Sequence, residues 1–355
     1  MKESLLQGYL FAYTFWLNLS LGCLGLLLLQ HLLKARWGLA VLRTLEAGAL
    51  TIPVMAIAFL PVVLGMHELY PWAHAGAAEH DPILALKRPY LNEPFFLARS
   101  FGYFVVWSVL AIVLVRWSAQ QDTSGDPRLA DKRANLSAPG MVVFVLSVTF
   151  AFTDWIMSLD PHWFSTIFGV WFVAGQALMT TAFAIVVLLL RRRTAPFDGV
   201  VNEGLLRDLG NLLLAFTMFW AYITLSQYLI IWSGNLPEEI TYYLNRTQPG
   251  WDLMGAGLVV GQFFLPFVAL LSSRTKRTPA LLMAVALWTL AMRVIDIYWN
   301  VVPAFHNQSA HSALADLLCL ALMGAAWLTA FVLLHGKRGV LPAYDARLRE
   351  AAHHA

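Results

Sequence analysis

Long runs of apolar residues, each closed by a short polar stretch, organise this chain from end to end. Nine of them are long enough to cross a bilayer core of about 30 Å as helices: residues 5–33, 38–65, 93–117, 138–158, 163–190, 203–233, 251–273, 278–300 and 310–334. The runs are continuous rather than alternating, which excludes an outer-membrane barrel. Pro53, Pro61 and Pro266 fall within or near spans and predict kinks. The pattern therefore predicts an all-α polytopic membrane protein with an integral helical domain over 1–335. A tail over 336–355, basic and then rich in alanine and histidine, is expected to be disordered.

Three polar segments separate the runs most clearly. Residues 66–92 and 234–250 read as loops on one side, and 118–137 reads as a polar loop on the other. Lysine and arginine set the orientation. One side carries Lys34, Arg36, Arg116, Arg128, Lys132, Arg133, Arg191, Arg192, Arg193, Arg207, Arg274, Lys276, Arg277, Lys337, Arg338, Arg347 and Arg349; the other carries only Lys2, Lys87, Arg88 and Arg246. The positive-inside rule makes the richer side cytoplasmic, with the N-terminus periplasmic and the C-terminus cytoplasmic.

Composition agrees and adds exclusions. Hydrophobic residues make up 59% of the chain and charged residues 13%. The two cysteines, Cys23 and Cys319, lie in separate apolar runs, so no CxxC pair offers an iron–sulfur or zinc site. The ten histidines include no mid-span pair of the kind that ligates haem b. No redox centre or metal site is expected, and nothing points to nucleic acid. Gly22 with Gly25, and Gly257 with Gly261, read as close helix packing.

The titratable residues carry the functional signal, because a charge in the membrane costs roughly 2.5–3.5 kcal/mol on insertion scales. The segment TDWIMSLDPHWFST from Thr153 places Asp154, Asp160 and His162 at the join of two apolar runs. Counted at about 1.5 Å per residue, Arg99, Asp154, Arg293, Asp296 and Asp316 fall towards the outer face. Asp160, His162, Glu238, Glu239 and His306 lie at the surface beside them. Arg43 and Glu46 fall near the inner face, with Glu203 and Asp208. Arg43 with Glu46, and Arg293 with Asp296, are three apart and share a helix face. Asp154, Asp160, His162, Arg99, Arg293 and Asp296 are thus candidates for an outer quinone-binding or proton-transfer site. Arg43, Glu46 and Asp208 are candidates for an inner proton path, with Gln176, Thr180, Thr181, Tyr222, Ser226 and Gln262 between the groups. Each pair alone reads equally well as a helix-packing ion pair, and Asp208 as an acid favouring a helix dipole.

These residues also carry a resemblance. TDWIMSLDPHWFSTIFG from Thr153, GYLFAYTFWLNLSLGCLGLLLLQHL from Gly8, LRTLEAGALTIPVMAIAFLP from Leu42, DLGNLLLAFTMFWAYITLSQYLIIWSGNLPEE from Asp208, LPFVALLSSRTKR from Leu265 and RVIDIYWNVVPAF from Arg293 together resemble one family. It is the F-type membrane subunit of alternative complex III, a bacterial quinol:cytochrome c oxidoreductase, related to the polysulfide-reductase-like membrane family. The resemblance implies two helix bundles and a place in the inner membrane. The implied partners are a C-type membrane subunit, an iron–sulfur subunit, multihaem cytochromes c, the lipid bilayer and a terminal oxidase. It implies a quinone or quinol as the one small molecule, with electron transfer carried by the partners. Family members have ten spans; the match here begins at Gly8, in what looks like their second helix, so a missing first helix or a misplaced start codon is expected. A scaffold and proton-conducting subunit without quinone is the alternative within this class. A secondary transporter is the alternative outside it, although no inverted repeat is visible.

Overall fold

The computed structural model describes residues 2–194, 197, 200–305, 313–336 and 341–342. Among the described residues the chain is all-helical, with no strand, and nine helical spans are long and apolar enough to cross a membrane. That is the architecture of a multi-pass membrane protein. His306 and nearly all of the tail lie outside the described residues.

The first span is α1 (Lys2–Leu33). The second is broken: α2 (Arg36–Ala49) is followed by helical segments Ile52–Ile57 and Leu60–Leu64. Pro53 and Pro61 each occupy the first turn of their segment, where a missing N–H costs least. Next come α3 (Glu93–Ser124) and α4 (Arg128–Trp155). The polar stretch 118–137, expected as a loop, is a correction. Only residues 125–127 interrupt the helices, with Gly125 at φ 66° as the turn. Polarity there marks helix standing in water rather than absence of helix, and α4 runs through Pro139 rather than starting beside it.

The fifth span, α5 (Phe168–Arg191), begins later than expected, because a 3₁₀ turn over Met157–Leu159 and a non-helical stretch containing Pro161 precede it. Then follow α6 (Glu203–Gly234), the short surface helix α7 (Pro237–Leu244), α8 (Trp251–Leu271), α9 (Pro279–Val301) and α10 (Ala313–His335). The middle of α8, Val259–Phe264, is a π-turn. There the Leu265 amide bonds back five residues to the Val260 carbonyl. The next donor in that pattern would be residue 266, a proline with no N–H. The Gly261 carbonyl is taken instead by the Trp288 indole at 2.7 Å.

Helices α1 and α5 form the centre. Within their most apolar windows 83% and 78% of residues are buried against protein, compared with 22% for α10 and 28% for α6. Lipid is as apolar as leucine, so close backbone approach and polar contacts must hold such helices together. Gly22 supplies the approach: a Cβ there would lie 2.1 Å from Thr180 Oγ1 and 2.6 Å from the Gln176 carbonyl oxygen. Gly25 packs on Phe144 and Gly261 on Met292, while Gly257 has nothing within 4 Å and plays no such part. Ser20 supplies a polar clamp, accepting from the Trp327 indole at 2.8 Å and pairing with the Thr51 hydroxyl at 2.7 Å.

Candidate functional site

The face where α1 begins is the N-terminal face of the molecule. The residues grouped by depth in the sequence separate here into three clusters near the N-terminal face and one near the opposite face.

The first cluster joins α3 to the end of α4. Asp154, fully buried, accepts from Arg99 Nε at 2.8 Å and Arg99 Nη2 at 2.9 Å, and from the Tyr103 hydroxyl at 2.9 Å. Two parallel bonds from one guanidinium are the strongest common carboxylate pairing. Arg99 is also held between the rings of Tyr90 and Phe95, at 3.9 and 4.2 Å. Around it, the Ser158 hydroxyl donates to the Asp154 carbonyl at 2.5 Å, and the Tyr70 hydroxyl to the Trp155 carbonyl at 3.0 Å. This cluster braces the turn that follows α4.

The second cluster clips the long loop to that turn. His162 Nε2 lies 2.5 Å from Asp81 Oδ2, and Lys87 Nζ donates to the Pro161 carbonyl at 2.6 Å. Asp81 also caps the segment Pro82–Lys87 by accepting from the Ile83 and Leu84 amides at 2.8 and 3.3 Å. Desolvation alone would raise the Asp81 carboxyl. Bonds from the Ile83 amide, His162 and the Leu84 amide outweigh it and hold the carboxyl below its usual range. A carboxyl depressed in the folded state contributes fully above the ordinary carboxylate range, and that contribution is lost as pH falls through the depressed value. Asp81→Asn should therefore speed hydrogen exchange at the Ile83 and Leu84 amides at neutral pH. The wild-type chain should show the same loosening, corrected for intrinsic rates, only in acid.

The third cluster runs from the interior to the surface. Arg293 and Asp296, 1% and 2% exposed, form a close ion pair one helical turn apart on α9. With the Gln262 amide, on the π-turn of α8, oriented to satisfy both its ends, its oxygen accepts from Arg293 Nη1 at 3.2 Å and from the Trp220 indole at 3.3 Å, and its nitrogen donates to the Met292 carbonyl at 3.0 Å. Gly175 of α5 makes room for the guanidinium: a Cβ there would lie 2.3 Å from Arg293 Nη2. Towards the surface, Asn300 Nδ2 donates to the Asp296 carbonyl at 2.8 Å and reaches Asp296 Oδ1 at 3.5 Å. The Tyr242 hydroxyl of α7 donates to Asn300 Oδ1 at 2.7 Å. Burial pushes the Tyr242 phenol well above its usual range, so it serves as a neutral donor.

Arg246 locks this end. Its guanidinium stacks 3.5 Å over the Tyr242 ring and donates to the carbonyls of Trp299 (2.9 Å), Tyr242 (2.9 Å) and Asn300 (2.8 Å). Burial lowers its pKa, against the pull of Tyr242, Tyr243 and Asp160. Trp163 stacks on the other side, 4.2 Å from the Tyr242 ring, and its indole donates to the Glu239 carbonyl at 3.0 Å. A cavity of ≈ 10 Å³ remains among Asp160, Tyr242, Asn245, Arg246 and Asn300. Asp160 thus lines the surface end of the third cluster, while its charge also acts on Lys87 of the second.

The opposite face holds the fourth cluster. Arg43 donates to Glu46 Oε2 at 2.6 Å and to the Ser118 hydroxyl at 3.0 Å, and pairs closely with Asp122 of α3. Arg43 and Glu46 are buried. Arg133 donates to Gln121 at 2.5 Å, and Arg191 to His335 Nδ1 at 3.0 Å, tying α5 to α10. Asp208 takes no part: it is exposed on the second turn of α6. Between the faces, Gln176 of α5 is 1% exposed, and neither atom of its amide is hydrogen-bonded among the described residues. Tyr222 faces outward and does not bridge the clusters.

Comparison of the chain with models of known families and with characterised proteins finds no match.

Sequence reasoning missed Tyr103, Asp122, Asn300, Tyr242 and Arg246 as members of these clusters. Asn300 had a signal: it stands one helical turn beyond Asp296 on the face that carries Arg293. Arg246 had none, since a lone arginine in a polar segment reads as solvated. A second cavity, ≈ 310 Å³, opens at the head of α3 among Trp72, His74, Glu79, Arg88, Leu91 and Glu93. Its lining includes none of the buried ion pairs.

Proposed function

We propose that the chain is a membrane subunit of a bacterial quinol:cytochrome c oxidoreductase of the alternative complex III type, without a redox centre of its own, and that Asp296 is a proton-transfer group within it. One observation carries the proton-transfer part. A buried, paired carboxylate in a helical membrane protein lies 3.5 Å from Asn300, whose side-chain oxygen accepts from Tyr242 towards the N-terminal face. Buried ion pairs are weak evidence for stability, because apolar replacements of similar volume often serve as well. Ionisable residues inside a membrane are a functional hypothesis by default. The lysine and arginine bias supports an outward N-terminal face, the side where a quinol-oxidising complex discharges protons. The sequence resemblance supports the complex, and Gln176, buried with an unbonded amide, gives a polar step towards the Arg43–Glu46 cluster. Together these support one reading: electrons pass through partner subunits, and this chain moves the protons.

The experiment is Asp296→Asn in the purified complex. It should lower quinol-dependent cytochrome c reduction on the order of a hundredfold, the scale of a lost acid–base group. Unchanged turnover would reduce the pair to a packing device.

A quinone site is the second reading, and the cavity at the head of α3 favours it. At ≈ 310 Å³, with His74, Glu79 and Glu93 beside Trp72 and Leu91, it is of a size that takes a small ring. The ≈ 10 Å³ cavity beside Asp160 is not.

A further inference from the structure

The segment Ser273–Arg277 turns the chain from α8 into α9 at the face opposite the N-terminal one, and it packs against the first turns of α6. Gly210 lets it approach closely: a Cβ there would lie 2.6 Å from Lys276 Cγ. Lys276 Nζ donates to Asn211 Oδ1 at 2.8 Å, and Arg277 Nη1 stands 4.0 Å from Glu203 Oε2. Arg207 is four residues from both Glu203 and Asn211, so it shares their face of α6 and sits between the two contacts. Arg207 and Arg274 are exposed and have no partner among the described residues.

Charge sets this strip apart. Arg207, Arg274, Lys276 and Arg277 are four cations, standing against Glu203 and against Asp208, which lies about 100° around α6 from Arg207. Four cations and two carboxylates leave the strip at +2. Elsewhere on this face cations are matched: Lys34 pairs with Asp131 at 3.0 Å, and Arg43 with both Glu46 and Asp122. The strip also lies at the edge of the membrane, because the apolar span of α8 ends at Leu271 and that of α9 begins at Pro279. Beside it runs an exposed apolar row on α8, formed by Phe264, Val268 and Leu271 at spacings of four and three. Such a row alone means only contact with lipid, as on any outer helix; the cations at its end select the charge of that lipid.

We propose that this strip binds the phosphate headgroup of one anionic phospholipid, whose acyl chains lie along Phe264, Val268 and Leu271. Arg207 and Arg274 contact the phosphate. Lys276 adds a third contact, since its ammonium keeps two donors beyond the bond to Asn211. Arg277 stays beside Glu203 and fixes the segment. Basic pockets between spans at a membrane face suit such headgroups, and each lysine or arginine near the surface is worth about fivefold in affinity. The bound lipid ties α6 to the turn between α8 and α9. Protein contact is thin there, with only 28% of the most apolar window buried in α6 and in α8 alike. The inference stands independently of the proton-transfer reading.

The test titrates the purified protein, in mild detergent, with short-chain phosphatidylglycerol and reads bound lipid by native mass spectrometry. Phosphatidylcholine of the same chain length and competition by inorganic phosphate are the other arms. Phosphatidylglycerol should bind at least about tenfold more tightly than phosphatidylcholine. Arg207→Gln with Arg274→Gln should weaken phosphatidylglycerol binding roughly 25-fold, two cations at about fivefold each. Arg128→Gln with Lys132→Gln removes the same charge from exposed positions on α4 at the same face and should leave binding unchanged. Equal weakening in the two double variants would reveal a diffuse surface field and overturn the site, as would equal affinity for the two lipids. Inorganic phosphate that displaces the lipid at matching concentration would make this a free-anion site and overturn the lipid assignment.

Discussion

Arg293→Leu alone should destabilise the protein severely and stop turnover, whereas Arg293→Leu combined with Asp296→Leu should recover most of the stability and none of the turnover. Both side chains are almost fully buried. Removing one partner leaves the other charge buried and unpaired, which costs on the order of 3–5 kcal/mol, while replacing both with apolar groups is often neutral or stabilising. The double variant also frees Gln262 of one bond and leaves a smaller side chain against Gly175, so recovery should be incomplete. Thermal unfolding in detergent and quinol-dependent cytochrome c reduction, measured on the same preparations, separate the two roles. A double variant that turns over normally would show the pair to be packing alone.

Gly22→Ala should destabilise, although the same change at Gly102 should not. In a helix interior, alanine is favoured over glycine by about 0.8–1.0 kcal/mol. At Gly102, where an added Cβ meets nothing within 4 Å, that preference should show as a small gain. At Gly22 the Cβ would stand 2.6 Å from a backbone carbonyl oxygen on α5. Neither central helix can step aside without disturbing the neighbours packed around both. Overpacking of this kind costs about 1–3 kcal/mol, enough to reverse the sign. Unfolding midpoints of the two variants against wild type check it; a stabilised Gly22→Ala would contradict the close α1–α5 contact.

Much of the fold was legible because each span must satisfy its own backbone in lipid, which makes hydropathy nearly sufficient. The pairs Arg43–Glu46 and Arg293–Asp296 were legible for a related reason: a spacing of three is local to one helix. The partner of Asp154 was not. Arg99 stands 55 positions away on another helix, and depth alone put it beside four other candidates. The depth argument also merged Asp154, His162 and Asp296, which the packing divides among three separate clusters. Tyr242 and Arg246 were invisible because their segment is polar, and only the fold over Trp299 and Asn300 buries them. The expected loop over 118–137 shows the opposite error, in which polar composition hid helix that continues past the apolar run. The break of the second span was legible in Pro53 and Pro61, and the π-turn in α8 had its signal in Pro266, read only as a kink.

The most direct measurement is purification of the affinity-tagged chain from its native membranes in mild detergent, followed by absorption spectra and a quinol:cytochrome c reductase assay. The account predicts haem c absorbance, iron–sulfur signals and quinol-dependent cytochrome c reduction co-purifying with the chain, and loss of the reduction in Asp296→Asn. Recovery of the chain as a single polypeptide, without haem or reductase activity, would contradict it.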